Sequence, residues 1–82
     1  MAGYRVTITE ELAEKLSSIK NRVAFDKALG KLIEEIRESP RSRGGVLYAG
    51  QKWTYGVMVY KIKAVIDDDQ KTVELVDIFR LP

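Results

Sequence analysis

The segment WTYGVMVYKIKAVIDDD, Trp53 to Asp69, decides the fold. It is rich in Val, Ile, Tyr and Trp, the residues that suit a pleated, half-buried surface. Even positions read Thr54, Gly56, Met58, Tyr60, Ile62, Ala64 and Ile66; odd positions read Trp53, Tyr55, Val57, Val59, Lys61, Lys63 and Val65. This period of two predicts one long strand. The even set carries no charge and suits a face covered by helices. The odd set carries both lysines and suits an open face. By that parity Trp53, Tyr55, Val57 and Val59 form an apolar strip beside the lysines, and a strip of this kind marks a partner-binding surface. The aspartates at 67–69 make a polar hairpin turn, and TVELVDIFR, residues 72–80, returns as the last strand.

Upstream, Tyr4, Val6 and Ile8 alternate with Arg5, Thr7 and Thr9, which predicts a half-buried first strand. Thr9 is placed to cap a helix, with Glu10 and Glu11 in the first turn where the helix dipole favours acids. Leu12, Ala13, Leu16 and Ile19 continue that helix to about Lys20. Phe25, Leu29, Leu32, Ile33 and Ile36 form the apolar stripe of a second helix. Gly30 costs that helix about 1 kcal/mol relative to Ala, and Pro40 ends it. RSRGG is a loop, residues 46–49 a short strand, and AGQK a turn. The order is strand, helix, helix, strand, strand, strand. It predicts a single α+β domain over residues 1–82: a helical hairpin on one face of an antiparallel-rich sheet of about four strands.

Composition bounds the chemistry. The chain has 82 residues, 45% hydrophobic and 32% charged, with net charge +2. A chain of this length buries roughly 60% of its unfolded surface, enough for one layer of helices on one sheet. There is no apolar run of membrane-spanning length and no signal-peptide pattern, so an intracellular, cytoplasmic location without a membrane partner is expected. The absence of cysteine and histidine removes disulfides, the common zinc sites and the Ser/His or Cys/His nucleophile pairs. No metal or other cofactor is expected. The segment from Lys52 to Lys63 holds three lysines and no acid, and PRSRGG holds Arg41 and Arg43 and no acid. A local basic face is therefore compatible with a weakly charged protein.

The ordered set YRVTITEELAEKLSSI, LGKLIEEIRESP, GGVLYAG and YKIKAVIDDDQKTVELVDIFR resembles the RelE/ParE superfamily of toxins from toxin–antitoxin pairs, over nearly the whole chain. The resemblance implies a toxin, or a relative of one, that acts on mRNA at the ribosome or on another macromolecular target and is neutralised by an antitoxin protein. It also implies a metal-independent endoribonuclease if the chain is active. Lys61 matches the central Arg of that family, and Tyr60 and Arg80 complete the catalytic set that the resemblance supplies. The chain departs from the family where Gly56 stands in place of an Arg and where nothing catalytic follows Arg80. Slow or absent cleavage is the expectation.

Two readings of these residues stand side by side. Lys61 is a phosphate ligand or a solvated sheet lysine. Tyr60 is a base-stacking group or, by parity, a core residue. Lys52, Lys63, Arg41 and Arg43 are nucleic-acid contacts or ordinary surface charge. Trp53 and Tyr55 stack on bases or, with Val57 and Val59, bury against an antitoxin or a second copy in a homodimer. The alternative function is a non-catalytic interaction module or a small nucleic-acid-binding protein on the same fold.

Overall fold

The structure, a computed structural model, describes residues 3–47 and 52–81. The expected turn at AGQK and the end of the short strand before it lie outside the described residues. Strand β1 (Arg5–Ile8) leads directly into helix α1 (Glu10–Leu16), and helix α2 (Arg22–Glu38) follows. Thr9 caps α1 as expected: its Oγ1 accepts the Leu12 N–H at 3.3 Å. Asn21 reverses the chain between the helices in the left-handed region, at φ 57°, where Asn is among the better-tolerated residues. Then come β2 (Gly45–Leu47), β3 (Lys52–Val57), β4 (Tyr60–Asp67) and β5 (Thr72–Arg80).

The sheet has five strands in the order β1-β5-β4-β3-β2. β1 runs parallel to β5, and the other pairs are antiparallel. The α+β class and the helical hairpin on one face match the sequence expectation. The strand count differs for one reason. The long strand is two, β3 and β4, joined by a two-residue hairpin at Met58–Val59, with Val57 opposite Tyr60. Met58 has φ 56°, the positive value that tight hairpin turns require at their first central position.

That turn corrects the parity expectation. Cross-strand partners share a face, so Tyr55 goes with Ile62 and Val57 with Tyr60. The odd set of β3 and the even set of β4 therefore both face the helices. Tyr55, Val57, Ile62 and Ala64 are buried beside Val73 and Leu75 of β5 and Leu12, Phe25, Leu29, Leu32 and Ile36 of the helices. Four of the five stripe residues of α2 are in this core; Ile33 lies half-buried at its margin. No helix among the described residues is long and apolar enough to cross a membrane.

Candidate nucleic-acid interface

The face of the sheet away from the helices carries the two lysines. Lys61 lies opposite Gly56 on β3 and Phe79 on β5, and Lys63 lies opposite Thr54 and Asp77. A side chain at Gly56 would begin 3.9 Å from the Lys61 Nζ. The Lys61 ammonium thus rests over the one position of β3 with no side chain to crowd it. The Lys63 Nζ sits 5.6 Å from the centre of the Phe79 ring, within cation–π range. None of the ion pairs among the described residues uses Lys61, Lys63 or Arg80. Asp77 is held below the usual carboxylate range, first by its hydrogen bond from Lys15, then by its own bond from the Ile78 N–H, with Lys63 adding a smaller contribution.

Phe79 was not legible as a site residue. Strict alternation from Val73 through Leu75 would place residue 79 in the core. The β4–β5 register shifts between Lys63 and Ala64, so Asp77 pairs with Lys63 and Leu75 with Ala64, leaving Val76 extra. The bulge turns Ile78 inward and Phe79 outward. An exposed aromatic ring between lysines is a surface on which a base can stack.

The three residues that the resemblance assigns to catalysis are neighbours but do not converge. Tyr60 is opposite Arg80, whereas Lys61 is opposite Phe79. Successive strand residues alternate, so Lys61 and Arg80 leave the sheet on opposite faces. Tyr60 takes the core reading: its ring packs edge-on against Phe25, with centroids 5.6 Å apart at 89°.

The strip from Trp53 to Val59 is also corrected. Tyr55 and Val57 are core residues, and the Tyr55 hydroxyl donates to the Pro40 carbonyl at 2.6 Å. Trp53 is half-buried, and its Nε1–H donates to the Arg43 carbonyl at 2.7 Å. Of the four, Val59 is exposed, next to exposed Met58 in the hairpin turn. The Leu81 N–H donates to the Val59 carbonyl at 2.8 Å, bringing the exposed Leu81 side chain to the same end. The apolar patch is thus the hairpin tip with Leu81, not the strand.

Both loop arginines pair with carboxylates. Arg41 grips Asp68 with two bonds of 2.9 and 3.1 Å, and the Tyr4 hydroxyl donates to the same carboxylate at 2.7 Å. The Arg41 guanidinium, then the Tyr4 hydroxyl, hold Asp68 below the usual carboxylate range. Arg43 pairs with Glu35 at 2.7 Å. Gly44, at φ 80°, lies so close to β3 that a Cβ there would overlap the Thr54 carbonyl. Lys52 pairs with Leu47 at the opposite end of β3 from the hairpin.

No family model matches the chain, and no curated sequence is significantly similar to it. Solved structures do resemble it. The toxin–antitoxin complex RelBE2 of Mycobacterium tuberculosis superposes with a TM-score of 0.80 at 18% identity, covering 98% of this chain and 93% of the other. The isolated RelE toxin of E. coli gives 0.77 at 17%, covering 96% and 85%. The chromosomal ParDE toxin–antitoxin system of P. aeruginosa gives 0.75 at 9%, covering both chains fully. From end to end, the chain has the fold seen in these RelE and ParE toxin structures.

Proposed function

We propose that this protein is the toxin of a toxin–antitoxin pair, acting in the cytoplasm on RNA at the ribosome through the open face of its sheet. The observation that carries this reading is the likeness over 98% of the chain to a chain of a toxin–antitoxin complex. Lys61 and Lys63 supply phosphate contacts, and Phe79 supplies a stacking platform between them. The antitoxin covers Met58, Val59 and Leu81, the exposed apolar residues at one end of that face. Tyr55 and Val57 are buried within the chain's own fold and are not available to a second copy.

Binding outlasts turnover in this reading. Lys61 and Arg80 begin on opposite faces, there is no histidine, and Gly56 leaves the developing charge with one fewer donor. A lost charged donor costs a few kcal/mol of transition-state stabilisation. The test is induced expression in a bacterial host, with and without co-expression of an antitoxin-like reading frame adjacent to the gene. Growth arrest relieved by the neighbour is expected. Normal growth at high expression of folded protein contradicts the toxin reading.

A further inference from the structure

At the far end of β4 from the hairpin lies a second basic feature. A groove of about 420 Å³ is lined by Gly3, Tyr4, Arg5, Arg37, Gln70 and Lys71. Three of the six are cations and none is an acid. None of the ion pairs among the described residues engages Arg5, Arg37 or Lys71. The acid bonded to the groove's Tyr4, Asp68, is already held by Arg41 and the Tyr4 hydroxyl.

The groove is built by backbone bonds that join three elements. The Tyr4 N–H donates to the Arg37 carbonyl at 2.8 Å, tying β1 to the last turn of α2. The Arg5 N–H donates to the Lys71 carbonyl at 2.8 Å, tying β1 to the turn before β5. Lys71 sits at φ 55°, and its ammonium lies 5.2 Å from the centre of the Tyr4 ring. Ordinary roles explain part of this. The dipole of α2 favours a cation at Arg37, and the Tyr4 ring favours one at Lys71. Neither explains the addition of Arg5 to a lining with three cationic residues and no acidic one.

We propose that this groove holds a phosphate group, presented by an RNA backbone or as free phosphate, between the Arg5 and Arg37 guanidiniums and the Lys71 ammonium. Three cations on one anion suit phosphate, whose several oxygens can accept from all of them. Guanidinium forks match that geometry, and Gln70 adds an amide donor. Lys61 to Asp67 spans six steps of about 3.3 Å, roughly 20 Å. The groove and Lys61 therefore bind different phosphates. The proposal does not depend on the toxin reading, and its test uses the purified chain alone.

Amide NMR spectra are recorded while adding inorganic phosphate, a short single-stranded RNA, and sodium acetate at matched ionic strength. Saturable shifts at Tyr4, Arg5 and Lys71 with phosphate or RNA, but not with acetate, are expected. Shifts with RNA identify a backbone phosphate; shifts with inorganic phosphate alone identify the free anion. Equal shifts with acetate, or none with either phosphate source, overturn the proposal. Arg37→Gln with Lys71→Gln should abolish those shifts while the rest of the spectrum stays native. If RNA is the ligand, the log–log salt dependence of its binding should become shallower by about 0.7, the slope that one phosphate contact carries on a single strand. Retained groove shifts in the double variant also overturn the proposal.

Discussion

Tyr55 shows how one side chain can serve the opposite purpose from the one its neighbours suggest. Its ring is fully buried, and its hydroxyl fastens the chain just after α2 through the Pro40 carbonyl. Burial pushes its phenol up to about 12, above the ordinary value near 10. The folded protein thus keeps a proton that the unfolded chain releases first. The resulting stabilisation is complete below about pH 10 and is lost as pH rises through about 12. Tyr55→Phe should cost about 1–2 kcal/mol in urea unfolding at neutral pH, because it leaves the Pro40 carbonyl unpaired. It should also lose less stability than the parent between pH 10 and 12. An unchanged midpoint with the same alkaline decline would remove Tyr55 from this role.

The hairpin at Met58–Val59 decides what the sheet shows to its surroundings. The period-two pattern runs through residues 53–66 unbroken because Met58 and Val59 are apolar and no Asn-Gly or Asp-Gly marks the turn. Tight turns are read in sequence from residues that tolerate positive φ, and Met58 is a poor one for φ 56°. The bulge at Val76 has no compositional mark either, so Phe79 was hidden by the same alternation that found Val73 and Leu75. By contrast, Thr9, the stripe of α2 and the turn around Asp67 were legible, because caps, helical spacing and Asx turns use particular residues. Asp67 accepts the N–H groups of Asp69 and Gln70 at 3.0 and 3.1 Å. Met58→Gly should relieve the turn and raise stability by about 0.5–1 kcal/mol, since the left-handed region costs other residues roughly 1–2 kcal/mol and glycine returns part of that gain as entropy. A lower melting temperature for this variant would show that Met58 is not strained.

For the whole molecule, the element order was legible except at the hairpin that divides the long strand, because the other elements carry their own local signals. The candidate site was legible in part. Lys61 and Lys63 were placed on the open face because β4 keeps the expected parity. The ion pairs of Arg41 and Arg43 were not legible, because their carboxylate partners, Asp68 and Glu35, are 27 and 8 residues away in sequence. Tyr60 and Arg80 were linked by a resemblance that carries no register. What remains is a sheet face with two lysines that form no ion pair among the described residues, an aromatic ring and an apolar end. Its proposed target is the ribosome. Sedimentation of cell extracts through sucrose gradients tests this most directly, comparing the parent with Lys61→Ala/Lys63→Ala. The parent should travel with ribosomal particles at low salt and leave them as salt is raised, while the double variant, equally folded, should stay near the top. A parent that never sediments with ribosomes, or a double variant that sediments just as well, would contradict the account.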